Sequence, residues 1–429
     1  MSKSPVAASL LATALFAAPL AARAEEPPPP PAPSVQITKA APSWSGFEIA
    51  SDDGDFSLRF LTQLQVDAYG FPGDDAGNAQ FRVRRFRPGF KATVFGDYQL
   101  KWVVDLSDSK LSVLDASIEG GYCPELHWRL GKDKAPYSYD HLQSSTTTTF
   151  MELGPTAQLS GNRDIGLQLL GKLADGVVDY QLGFFDGAAD NANVDVDVDD
   201  RFELGGRVTF KPFKPLGVPA LADLALGVTG SWGKALGTAA APNVASYKTT
   251  GRATWFKYAA GSDLAGTTVA DGERSRVGGH LDWRVGPVGL FGEVVVSSQD
   301  LRLGDVTGSV SNVAWQAYAS VLLTGERSTR SGVVPAVAFD PRVGGWGALE
   351  LAVRYGELTV DDAAFDDGFA SADASAKKLG TLTVGLNWYW NRVVKLQLNY
   401  ERTSFEGGAA AGGDRATEDF LGGRLQFNF

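Results

Sequence analysis

Eleven consecutive residues, Phe81-Arg82-Val83-Arg84-Arg85-Phe86-Arg87-Pro88-Gly89-Phe90-Lys91, form the densest basic run in the chain. A guanidinium stays charged at every physiological pH and offers a planar fork of donors that matches carboxylate and phosphate oxygens. The chemistry this run suits is therefore oxyanion binding. Its alternation changes phase midway: Phe81 and Val83 set one apolar phase, Phe86, Pro88 and Phe90 the other. A bulge between Arg84 and Arg85 reconciles the two phases, and such bulges re-aim side chains beside functional sites. With it, Arg82, Arg84, Arg85, Arg87 and Lys91 share one face. Without it, two arginines would face the apolar side, at about 2–4 kcal/mol each if that side is lipid. A plainer role is bracing, each arginine paired with a carboxylate such as Asp105 or Asp115. Lys132 and Lys134 could add charge at the entry to a long connection, 133–162, whose Ser144, Ser145 and Thr146 to Thr149 offer hydroxyls.

Other chemistry finds little support. No Gly-x-Ser-x-Gly element is present, and His127, His141 and His280 show no metal-ligand spacing. Neither catalysis nor a cofactor or metal is expected. The chain has 39 Lys and Arg against 50 Asp and Glu. Removing Lys3 and Arg23 with an expected signal peptide leaves 37 − 50 = −13, which argues against a nucleic-acid partner. The single cysteine, Cys123, has no internal partner and precedes Pro124 at a turn.

The elements that must hold the arginines are strands. Met1-Ser-Lys3, an apolar stretch from Val6 to Leu20 and Ala22-Arg23-Ala24 predict a signal peptide over 1–24. A proline-rich periplasmic segment, 25–55, follows. From Phe56 the dominant period is two. Leu421, Gly423, Leu425, Phe427 and Phe429, for example, oppose Gly422, Arg424, Gln426 and Asn428. Sixteen such segments are predicted, near 56–67, 81–95, 98–106, 111–120, 126–132, 163–173, 176–186, 202–211, 222–232, 275–285, 288–298, 313–323, 347–359, 379–390, 392–402 and 419–429. Short connections at 96–97, 174–175, 286–287 and 391 alternate with long ones at 133–162, 187–201, 233–274, 299–312, 360–378 and 403–418. That asymmetry belongs to an outer-membrane barrel, and 324–346 breaks it as a long connection on the short-turn side. A secreted β-sandwich would show the same alternation with its faces reversed. Tryptophans at or near strand ends, among them Trp102, Trp232, Trp315, Trp346, Trp388 and Trp390, favour interfacial girdles instead. The expected fold is all-β, a sixteen-stranded antiparallel transmembrane β-barrel with an inward-folded third loop. Sixteen strands leave an aqueous channel, with water facing luminal charges such as Arg207, Glu293, Arg354, Glu401 and Arg424.

Arg84-Arg85-Phe86-Arg87-Pro88-Gly89-Phe90 resembles the double-arginine strand of the phosphate-selective porin O and P family. Phe60-Leu-Thr-Gln-Leu-Gln65, Gly131-Lys132-Asp133-Lys134-Ala-Pro136, Leu322-Leu-Thr-Gly-Glu326, Gly345-Trp346, Leu349 to Tyr355 and Gly385-Leu-Asn-Trp388-Tyr are similar to further family segments in the same order. The resemblance implies an outer-membrane porin, a homotrimer in lipid, with Arg84 and Arg85 at its constriction and an arginine-rich path for small phosphate-like anions. The third loop departs from the family pattern, with four threonines where phosphate-binding members look lysine-bearing. Passive, anion-preferring diffusion is the expected function. The alternatives are a weakly selective or cation-leaning general porin, and, from another class, a non-conducting structural or adhesin barrel.

Overall fold

The computed structural model describes residues 35–36, 47–73, 77–107, 111–197 and 199–429. The expected signal peptide and the proline run lie outside the described residues. The barrel strands are β1 (Ser57–Gly70), β2 (Gln80–Val94), β3 (Tyr98–Asp105), β4 (Ser112–Cys123), β5 (Leu126–Lys134), β6 (Arg163–Leu173), β7 (Val178–Phe185) and β8 (Glu203–Phe210). They continue as β9 (Ala225–Leu236), β10 (Val269–Val285), β11 (Val288–Leu303), β12 (Val306–Leu322), β13 (Ala348–Thr359), β14 (Ala376–Tyr389), β15 (Val394–Ala409) and β16 (Glu418–Asn428). Each pairs antiparallel with the next. Leu421 opposite Gly70 through Asn428 opposite Gln63 joins β16 to β1 and closes the barrel. All sixteen predicted strands are present, and closure leaves none of them a bare edge. A short strand, Glu48–Ser51, pairs with the start of β1 alongside the chain terminus, where Phe47 meets Phe429 edge to face.

The alternation has the sense of a membrane barrel. In β12, Trp315 is 40% exposed while its neighbour Gln316 is 2% exposed. Apolar residues face out and polar ones in, the reverse of a sandwich core. Among the described residues no helix is long and apolar enough to cross a membrane.

Two expectations need correction. The connection predicted at 299–312 is only 304–305, with Gly304 at φ 57° making the tight turn between β11 and β12. These strands run past the apolar band, where the outward phase is polar, Ser298 and Asp300 on one strand and Ser309 and Ser311 on the other, while Leu301 and Val310 point into the internal core. The second correction concerns the interior. Most of the luminal charges are withdrawn from water: Arg207, Glu293 and Arg424 are buried, and Arg354 and Glu401 keep only 3% of their surface exposed, at the wall of an internal cavity. Residues 135–162, joining β5 to β6, hydrogen-bond to polar-phase side chains of β1, β11, β12, β14, β15 and β16. Within the loop 237–268, a hairpin of Ser246–Lys248 and Thr254–Lys257 buries Tyr247, Trp255 and Phe256. These pack with Tyr258, Leu159 and Phe369, and against Val295, Ala314, Leu358, Leu379 and Phe405 of β11 to β15. One side of the interior is thus an apolar core, and the opposite side carries the arginines.

Candidate functional site: the arginine wall and its loop

The register of β1 with β2 sets Gln65 opposite Arg85 and Val66 opposite Val83, so Arg84 is one residue more than its partner strand can match. This is the expected bulge. Phe81, Val83 and Phe86 point outward and are exposed, whereas Arg84, Arg85 and Arg87 line a cavity of about 1000 Å³. Lys91 and Lys101, cross-strand neighbours, line it too. The other basic lining groups are Lys134, Arg163, Lys248, Arg252 and Arg354; the acidic ones are Asp115, Glu152, Asp190 and Glu401. Ten cationic side chains against four carboxylates make a positive compartment inside an acidic chain. Of the residues singled out in the sequence, Arg82 and Lys132 are not in this wall. Lys132 instead ion-pairs with Asp195 of the loop between β7 and β8. Lys134 spends its ammonium on two loop carbonyls, His141 O at 2.7 Å and Gln143 O at 2.6 Å. Lys248 and Arg252 come from the aromatic hairpin and were not anticipated.

The arginines are extensively paired. Arg87 Nε donates to Asp105 Oδ2 at 2.7 Å, and its Nη1 donates to Ser145 Oγ at 3.1 Å. Asp115, the other expected brace, is taken by Arg163 at 2.7 Å and Lys101 at 3.0 Å. The central partner is one that sequence reasoning missed, Glu152. Arg84 grips its carboxylate with two donors, Nε at 2.8 Å and Nη2 at 3.0 Å. Arg85 Nη2 adds a bond at 3.1 Å and Arg424 Nη2 one at 2.7 Å. Arg424 also forks onto Asp67, with both bonds at 2.7 Å. Burial opposes ionisation of Glu152, yet Arg84, Arg85 and Arg424 together hold its carboxyl well below the usual range. Three guanidiniums therefore share two carboxylates.

Buried polar groups fix the loop. Glu293 of β11 accepts from Ser138 Oγ at 3.1 Å, Tyr139 N at 2.7 Å and Thr156 Oγ1 at 2.7 Å. Gln316 Nε2 donates to Asp140 at 2.9 Å. His141 Nδ1 meets Ser160 Oγ at 2.9 Å, and burial, then the nearby Lys134 and Arg163 charges, push its imidazole down to about 3. From the short-turn end, the long connection 323–347 contributes Arg330. Its guanidinium lies 3.9 Å over the Tyr139 ring, whose other face stacks on His280 at 3.9 Å. Arg330 also donates to Tyr139 O. Bonded on this many sides, the segment is held firmly against these strands.

A closed sixteen-stranded barrel, apolar outside and charged around an internal cavity, is a bacterial outer-membrane channel. The profile described as phosphate-selective porin O and P matches residues 56–429, and the chain belongs to that family. Known structures share the fold. The outer membrane channel DcaP of Acinetobacter baumannii superimposes with a TM-score of 0.57 at 13% identity, covering 90% of this chain and 100% of that one. The trimer form of OmpT from Vibrio cholerae gives 0.52 at 13%, covering 87% and 99%. An anion-selective porin from Comamonas acidovorans gives 0.51 at 13%, covering 87% and 100%. No curated protein sequence matches this one.

Proposed function

We propose that this channel carries small hydrophilic anions, phosphate or similar oxyanions, passively along the wall of β2 and β3, with residues 135–162 narrowing the lumen. The observation that carries the reading is the cavity's ten cationic side chains against four carboxylates, placed opposite an apolar core. Charge of one sign in a narrow, low-dielectric space raises the local concentration of the opposite ion. The net acidity of the chain is compatible with this, because fields from outer carboxylates decay over about 8 Å at physiological salt. Arg84, Arg85, Arg87, Lys91 and Lys134 line the path; Arg82 and Lys132 support it indirectly. A cleaved signal peptide delivers the chain to the outer membrane. There it functions as a homotrimer in lipid, a state in which OmpT of Vibrio cholerae is also found. Liposomes test the reading. They should swell faster in a small carboxylate than in a neutral solute of equal size. Equal rates favour a weakly selective pore, and no swelling in either solute favours a structural barrel.

A further inference from the structure

The cluster around Glu152 bears on what the channel does with its solute, granted the anion-carrying reading above. Arg84 Nε and Nη2, Arg85 Nη2 and Arg424 Nη2 converge on one small volume, and the group found there is a carboxylate of the chain itself. The donors an incoming oxyanion would need are those already engaged. Glu152 is held from behind as well. Arg354 Nη1 donates to its carbonyl at 3.0 Å, Met151 N donates to Asn399 Oδ1 at 3.3 Å, and Met151 O accepts from Arg424. Phe150, two residues back, is buried against Phe291 and Tyr318. The side chain is nonetheless 17% exposed and forms part of the cavity wall, so a solute passing through meets it.

We propose that Glu152 is the specificity-determining residue of the channel, a tethered anion that occupies the arginine site and makes the pore pass oxyanions without holding them. A displacing solute must compete with a carboxylate on the same chain. Even a flexible tether gives such a group an effective concentration of about millimolar, and a fixed loop gives more. With Asp67 and Glu152 in place, the three arginines Arg84, Arg85 and Arg424 present an excess of one positive charge. That excess attracts anions, while Arg84, Arg85 and Arg424, already bonded to Glu152 and Asp67, offer them no open fork for a bidentate bond. The substrate class is then small oxyanions at large, chosen by charge and size.

Planar bilayers carrying the full-length protein test this with phosphate added to potassium chloride at pH 7. In the unmodified channel, phosphate should reduce chloride current only weakly. In Glu152→Gln, which keeps shape and removes the charge, the half-blocking phosphate concentration should fall on the order of tenfold. The anion-to-cation permeability ratio should rise with it. Glu152→Asp shortens the reach so that all three arginines cannot be satisfied at once, and should fall between the two. If Glu152→Gln does not insert, Glu152→Asp carries the comparison. Block of the unmodified channel at about millimolar phosphate or below overturns the proposal. So does a phosphate titration of the inserted variant that superimposes on that of the unmodified channel. Cation selectivity in the unmodified channel overturns the anion reading itself. Anion selectivity with no effect of substitution overturns only the role of Glu152.

Discussion

Trp255→Ala separates the barrel from what fills it. Trp255 is fully buried, in ring contact with Tyr247 at 5.7 Å, Phe256 at 6.2 Å and Phe405 at 6.5 Å. Truncating a buried tryptophan costs about 3–5 kcal/mol in lost transfer energy and cavity formation. The hairpin that bears it has only three register pairs, Ser246 with Lys257, Tyr247 with Phe256 and Lys248 with Thr254. A two-stranded hairpin of that length is at best marginal alone, so packing on β11 to β15 holds it in place. A loss of this size exceeds the stability such a piece has by itself and releases it. The barrel, whose sixteen ladders do not include the hairpin, survives. With the hairpin go Lys248 and Arg252 from the cavity wall. The expected result is a folded protein of ordinary heat resistance with larger, noisier single-channel conductance and a new protease site within 246–257. Conductance and protease resistance both equal to those of the unmodified channel would refute the view that this hairpin obstructs the interior.

Three further outcomes follow from the same geometry. Neutralising Arg84 and Arg85 together, as Arg84→Gln with Arg85→Gln, cuts the lining from ten cations against four carboxylates to eight against four. The excess falls from six to four, and the zero-current potential in a chloride gradient should shrink by roughly a third. His141, with its pKa pushed down to about 3, binds a proton more readily in the unfolded chain. Loop stability is therefore complete above about pH 6.5 and is lost as pH falls toward 3, by on the order of 2 kcal/mol at pH 5. Hydrogen exchange of 139–143 should quicken over that window, and His141→Gln should remove the dependence. Arg330→Ala takes away the stack on Tyr139 and the bond to its carbonyl. It should loosen the same segment by about 2 kcal/mol, read by the same exchange.

The strands were legible because alternation is local: β16 shows its lipid and luminal faces in consecutive letters. Their ends were less so. β11 and β12 extend to Leu303 and from Val306 through stretches whose outward residues are polar, and once a strand leaves the apolar band no lipid-facing phase marks it. The bulge was readable at Phe81 to Phe90 because lipid forces the apolar phase to be kept on both sides of it. Glu152 was not, since a carboxylate that reaches Arg84 across 68 residues carries no mark in its own neighbourhood. Lys134 was placed at the cavity by its visible charge, while the two loop carbonyls that take its ammonium left no mark. The internal core did leave a signal, Tyr247, Trp255, Phe256 and Tyr258 within one loop, which is more aromatic surface than a solvated connection needs.

The claim on which the account depends is that the cationic wall decides which ions pass. The zero-current potential of the unmodified channel in a planar bilayer, with a tenfold gradient of potassium chloride at pH 7, tests it most directly. The account predicts the sign of chloride preference, and a potential that moves toward zero when Arg84 and Arg85 are neutralised. A potential of the potassium-selective sign, unmoved by that double substitution, would contradict it.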